Sequence, residues 1–204
     1  MSNPVRAAVI YYSATGNVHA LANRAALTAE KAGAEVRLRR VQELAPPQAI
    51  TANDQWARHV DETARIQEAT PDDMEWADLI LLGTPTRFGN VASQMKQFLD
   101  QLGPLWVQGR LADKVYAGFV SASTRHGGHE STLLALYNSV HHFGGILVPP
   151  GYTDPSKFED GNPYGVSHVS NNDTTPPGEM HFTAIDHLTH RGLRFANVLP
   201  DRAA

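Results

Sequence analysis

Apolar runs alternate with helical stripes along this chain, and several runs end in clusters of small and hydroxyl-bearing residues. The first run, Val5 to Tyr12, is apolar but for Arg6, as expected of a strand covered on both faces. It passes through Ser13-Ala14-Thr15-Gly16-Asn17 into a helix marked by Val18, Leu21, Ala22, Ala25, Ala26, Ala29 and Ala32, with Gly33 placed to cap it. Val36 and Leu38 then alternate with Glu35, Arg37 and Arg39, which predicts a strand near a sheet edge that ends before Pro46-Pro47. Asp78 to Gly83 is a second run, continuously apolar after Asp78, and leads into Thr84-Pro85-Thr86-Arg87-Phe88-Gly89-Asn90. Met95, Phe98, Leu99 and Leu102 mark the next helix, closed by Gly103-Pro104. A fourth strand, Val115 to Val120, runs into Ser121-Ala122-Ser123-Thr124-Arg125-His126-Gly127-Gly128, and Leu133, Leu134, Tyr137, Val140 and His141 line the helix after it. Ile146 to Val148 predicts a fifth strand, and Ile185, Leu188, Phe195 and Leu199 a last helix.

Two stretches are harder to read. Residues 48–74 carry only a sparse stripe of Trp56, Val60, Ala64 and Ile66. Trp56 is then either the anchor of a subunit contact or a half-buried residue of a surface helix. Residues 152–177 are rich in Gly, Pro, Asn, Asp and Ser, and read as one long ordered loop.

Five strand-to-helix alternations predict an α/β fold in one domain spanning residues 1–204: a three-layer sandwich with a five-stranded parallel sheet and helices on both faces. Right-handed crossovers bring the strand-to-helix loops to one edge of that sheet. In strand order 2-1-3-4-5 the loops after strands one, three and four lie side by side. Doubly wound sheets of that order are known to seat flavin mononucleotide (FMN) at the β1/β3 switch point, and the placement is taken over from them.

The first loop gives that placement a chemistry. A helix start offers unpaired N–H groups and the positive end of a dipole, Gly16 permits close approach, and Ser13, Thr15 and Asn17 add side-chain donors. Without the Lys and spacing of a triphosphate loop, and without three glycines in the dinucleotide pattern, the loop suits a single phosphate monoester such as that of FMN. An ordinary turn capped by Ser or Thr is the alternative.

Composition narrows the classes. Seventeen basic residues against 21 acidic ones leave a formal charge of -4, too mild to point to nucleic acid or an anionic membrane. Cysteine is absent, which excludes disulfides and thiol chemistry within the chain. No signal-peptide pattern precedes Val5 and no apolar run approaches a membrane span, so the expected location is the cytoplasm. His181, His187 and His190 lack the companions of a zinc site, so no metal is expected. No G-x-S-x-G elbow favours a serine hydrolase, and Asp72-Asp73 reads as a solvated helix start.

Taken together, Tyr11-Tyr12-Ser13, Gly83-Thr84-Pro85-Thr86-Arg87-Phe88-Gly89-Asn90, Phe98-Leu99-Asp100-Gln101, Leu105-Trp106, His141-His142 and Asn162-Pro163-Tyr164-Gly165 resemble the WrbA family of flavodoxin-like NAD(P)H:quinone oxidoreductases. The resemblance extends over nearly the whole chain. It implies an FMN enzyme, a homotetramer, that passes two electrons from NADH or NADPH to a quinone. By position, Ser13, Ala14, Thr15, Gly16, Asn17 and Val18 are expected to hold the flavin phosphate. Pro85, Thr86, Arg87, Phe88, Gly89 and Asn90 are expected to wrap the ring, and Ser121, Ala122, Ser123, Thr124, Arg125 and His126 to border its other side. Trp106 and His141 match positions that border the quinone and nicotinamide pocket, with His141 as the catalytic proton donor to quinone. Nicotinamide and quinone sharing one slot implies ping-pong kinetics. The competing class is an FMN-carrying electron-transfer protein without a substrate pocket. Three departures stand out: Thr15 where the family commonly has an aromatic, Val18 where a hydroxyl usually closes the loop, and Arg125 and His126 in a loop that tends to be glycine-rich.

Overall fold

The computed structural model describes residues 3–199. The chain runs β1 (Arg6–Tyr11), α1 (Asn17–Lys31), β2 (Glu35–Arg40), α2 (Pro47–Thr51), α3 (Asp54–Glu62), α4 (Pro71–Trp76), β3 (Leu79–Arg87) and β4 (Asn90–Val91). It continues through α5 (Ser93–Asp100), α6 (Gly103–Val107), β5 (Val115–Ala122), α7 (His129–Phe143), β6 (Ile146–Leu147), α8 (Ser156–Asp160), β7 (Val166–Val169) and α9 (Glu179–Ala196).

The sheet follows the order β2-β1-β3-β5-β6 with parallel neighbours, which is the predicted 2-1-3-4-5 arrangement. Alternate residues of each strand serve opposite layers. Ala7, Val9 and Tyr11 of β1 pack with Leu21, Ala25 and Ala29 of α1 and with Ile185 and Leu188 of α9. Ala8, Ile10 and Tyr12 face Met95 and Phe98 of α5 and Leu136 and Val140 of α7. Strands buried on both faces need apolar residues at every position, which is why β1 and β3 read as continuous runs.

The sheet departs from the prediction in having seven strands rather than five. Beyond its parallel part, β3 turns over Phe88-Gly89 and returns as β4 in an antiparallel pair, Arg87 opposite Asn90. The fifth strand position is shared: β6 lies beside Val115 and Tyr116, and β7 beside Phe119 to Ala122. The predicted loop over 152–177 therefore contains α8 and β7. Four residues give too little alternation to announce a strand, and the inward His168, fully buried, disguises this one as polar.

Residues 48–74 also gain structure. Trp56 is half-buried in α3 and its indole donates to Glu43 Oε2 at 2.9 Å, so it is tied within the chain and not left as a free anchor. Asp73 corrects the reading of a solvated pair: Asp72 is exposed, but Asp73 is 3% exposed. Its carboxylate accepts from Arg37 Nη1 and Arg39 Nε at 3.1 Å each, and from the Thr70 N–H at 3.0 Å in a capping box. One acidic side chain thus ties the edge strand β2 to α4. Asp73→Ala leaves both arginines without that partner and is expected to lower the free energy of unfolding by about 2–3 kcal/mol. Urea denaturation measures it, and a loss under about 1 kcal/mol would show the cluster to be dispensable.

Candidate functional site

Because β1, β3 and β5 run parallel, their C-terminal ends deliver three loops to one edge. Gly83 lets them close up there: a Cβ at that position would sit 2.3 Å from Phe119 Cε2 and 3.0 Å from Val18 Cγ1. The loops enclose a cavity of about 430 Å³ lined by Ser13, Ala14, Thr15, Asn17 and Val18, by Pro85 to Phe88, and by Ser121 to Thr124.

The first loop turns at Gly16, whose φ of 102° is left-handed, and the Gly16 N–H donates to Ser13 Oγ at 3.1 Å. No side chain caps α1, which leaves its first-turn N–H groups available to a ligand. The side-chain donors are engaged by the chain itself. Thr15 Oγ1 donates to Asp173 Oδ1 at 2.9 Å, and Asn17 Nδ2 donates to the same oxygen at 2.7 Å. A carboxylate thus already sits on the donors expected to hold a phosphate. Asp173 lines the cavity, as do Ser170 and Gly127, and the sequence reading missed all three. The available signal was Asn171-Asn172-Asp173: these residues tolerate left-handed backbone, and all three adopt it, with φ of 48°, 57° and 64°.

In the second loop Thr86 Oγ1 lies 2.6 Å from Thr132 Oγ1 and donates to Gly127 O at 3.2 Å, which ties the end of β3 to the third loop. Phe88 stands fully exposed at φ 53°, followed by Gly89 at 75°. Left-handed backbone at both central residues is the type I′ hairpin geometry; at Phe88 it costs about 1–2 kcal/mol. Packing in the core is therefore not its role. Gly16, Gly89, Arg125 and His126 do not line the cavity, and Arg125 and His126 are exposed. Asn90 instead lines a neighbouring cavity of about 590 Å³, together with Tyr12, Trp56, Arg87, Phe88 and Gln94. There Glu43 accepts from Tyr12, Trp56 and Gln94. Burial raises its pKa, but these donors and the Ala45 N–H outweigh that and hold it below the usual carboxylate range.

Trp106 and His141 line neither cavity. Trp106 lies in α6, half exposed, with its indole donating to His142 O at 2.7 Å. His141 is exposed on the last turn of α7.

Buried histidines back the site on two sides. His59, 6% exposed, faces the first loop, with Nδ1 3.5 Å from where a Gly16 Cβ would stand. His168 in β7 meets Ser121 Oγ through Nδ1 at 2.9 Å. Burial pushes both rings down to about 4, helped by His19 at His59 and by His181 at His168. Between pH 6.5 and about 4 the unfolded chain therefore binds more protons at these two positions than the folded one. Their contribution to stability is expected to be constant above pH 7 and to fall through that window by about 1–3 kcal/mol per ring. Urea midpoints against pH measure it; His59→Gln and His168→Asn should each flatten the slope, and unchanged slopes would contradict it.

Residues 5–158 match the family described as NADPH-dependent FMN reductase. The chain is 46% identical over 172 residues to an NAD(P)H dehydrogenase (quinone) of Deinococcus radiodurans, covering 84% of this chain and 86% of that protein. It is 40% identical over 182 residues to one of Rhizobium rhizogenes, with 86% and 89% covered. Its fold resembles the flavodoxin, WrbA-like protein from Agrobacterium tumefaciens, at TM-score 0.61 and 24% identity over 95% of this chain and 96% of that one. Flavodoxin 2 from Bacillus cereus is similar at TM-score 0.62 and 16% identity, over 93% and 99%. The chain has a flavodoxin-like α/β fold and belongs to the NADPH-dependent FMN reductase family.

Proposed function

We propose that this protein is an FMN-dependent NAD(P)H:quinone oxidoreductase that reduces quinones to hydroquinones in one two-electron step. The observation that carries the reading is the Asp173 carboxylate held by Thr15 and Asn17 at the uncapped start of α1, an internal anion on donors aimed into the three-loop cavity. In this reading Thr15, Asn17 and the first-turn N–H groups of α1 would hold the phosphate of FMN in place of Asp173. The second and third loops would border the ring. FMN, when bound, supplies the site that accepts and returns the hydride.

The chain's own task is position and charge. Thr86, tied to Thr132 and Gly127, fixes the distance between the two loops that hold the ring. Backbone N–H groups of the Gly-bordered turn, if aimed at the ring, would be the donors able to stabilise negative charge there. Nicotinamide and quinone use the same slot in turn, so the kinetics are ping-pong. Trp106 and His141 reach that slot from a second copy of the chain, in a cytoplasmic homotetramer. The fully exposed Phe88 on its strained turn, and their own position outside both cavities, support this assignment. Among the described residues no helix is long and apolar enough to cross a membrane.

Asn17→Ala is expected to weaken FMN binding by about tenfold, and Asp173→Asn to tighten it several-fold, while riboflavin, which lacks the phosphate, is indifferent to both. Fluorescence titration of apoprotein decides it; equal effects on the two flavins would move the phosphate elsewhere. His141→Gln should lower quinone turnover by at least about tenfold and alter its pH profile, and an unchanged profile removes His141 from the chemistry. Initial rates with benzoquinone should give parallel reciprocal lines, and converging lines would refute a shared slot.

A further inference from the structure

The cavity beside Trp56 takes no part in the steps described so far. Its volume of about 590 Å³ is that of a small-molecule site, and it adjoins the three-loop cavity, because Arg87 and Phe88 line both. A ligand spanning the two therefore passes those side chains.

The walls of this second cavity are chiefly apolar, with Trp56, Phe88, Val91, Leu99 and Ala135 among them, and no carboxylate lines it. Glu43 fixes one wall from behind. It accepts from Tyr12 OH at 2.9 Å, from Trp56 Nε1 at 2.9 Å and from Gln94 Nε2 at 2.8 Å, and from the N–H groups of Leu44 and Ala45. The indole N–H is spent on that bond, so what Trp56 adds to the cavity is ring surface.

Two cations line the cavity, and their commitments differ. Lys96 is paired with Asp100 on its own helix. The Arg87 guanidinium donates through Nη1 to Thr86 O at 3.0 Å and forms no ion pair among the described residues. A planar cation with donors to spare, where a mixed polar cavity meets an apolar one, suits an anionic linker between two flat groups.

We propose that the second cavity holds the adenosine diphosphate half of the nicotinamide donor, with the Arg87 guanidinium on the pyrophosphate and the adenine against the Trp56 ring. This rests on the reading that nicotinamide meets FMN in the three-loop cavity, and it adds a seat for the part of the donor that takes no part in hydride transfer. Remote contacts of this kind favour a dinucleotide without serving the quinone that uses the same slot. The prenyl tail of a quinone would also suit apolar walls, but it has no use for a guanidinium at the entrance.

ADP is a probe that needs no turnover. Calorimetric titration of the FMN-loaded protein should give one ADP per chain, and Arg87→Ala and Trp56→Ala should each weaken it by at least about tenfold. Trp56→Phe keeps a ring but not the bond to Glu43, and should bind within about threefold of the native protein. Ala135→Trp fills the cavity and should abolish ADP binding, which decides the matter even if Trp56→Ala fails to fold. Steady-state rates then separate donor from acceptor. Reduced nicotinamide mononucleotide lacks the adenosine, so Ala135→Trp should lower kcat/KM for NADH by at least about tenfold and leave that for the mononucleotide within about twofold. ADP should compete with NADH and not slow the mononucleotide. Absence of ADP binding in a protein that oxidises NADH, equal losses for the two donors in Ala135→Trp, or losses confined to prenylated quinones would overturn the assignment and leave the flavin reading standing. A protein that holds FMN but oxidises neither donor would end both.

Discussion

The parallel register of β1, β3 and β5 is the constraint from which the site follows. Three strands covered on both faces end together, so the loops after them meet whatever their sequences are. What those sequences decide is how near the loops come. Gly83 answers that, because any side chain there would strike Phe119, and Phe119 is among the largest wholly buried residues of the core. Packing inside the sheet and the width of the cavity above it are therefore set by the same contact.

Charge around the first loop is arranged sparingly. The loop has neither Lys nor Arg, and its donors are backbone amides, two hydroxyls and one amide side chain. Such donors hold an anion through geometry more than through net charge. The Asp173 carboxylate satisfies them from within the chain, on a turn of three successive left-handed residues. Asn and Asp accept that backbone at modest cost, so the turn can hold the carboxylate in place without a large energetic penalty.

Legibility in the sequence tracks how strongly burial patterns a segment. The apolar stretches Ala7 to Tyr11 of β1 and Leu79 to Leu82 of β3 and the stripe of α1 declare themselves because burial in the core selects their apolar residues. Residues 48–74 and 152–177 resist reading because their elements are short and many of their buried positions are polar: His59 and Asp73 in the first, Lys157 and His168 in the second. A buried polar residue is paired by partners far along the chain, as Asp73 is with Arg37 and Arg39, and no local pattern carries that information. Asp173 is the plainest case, since its partners Thr15 and Asn17 lie more than 150 positions away. The resemblance carried the three loops, but not the hairpin geometry that lifts Phe88 into the open or the exposed faces on which Trp106 and His141 stand.

Fold, loop chemistry and family thus meet in a single question, the identity of the anion at the start of α1. A crystal structure of the protein grown with FMN answers it most directly. The account predicts the phosphate within hydrogen-bonding distance of the backbone N–H groups of the first turn of α1, with Thr15 and Asn17 turned to it and Asp173 displaced. A flavin lodged instead in the neighbouring cavity beside Trp56, with Asp173 still on Thr15 and Asn17, would contradict it.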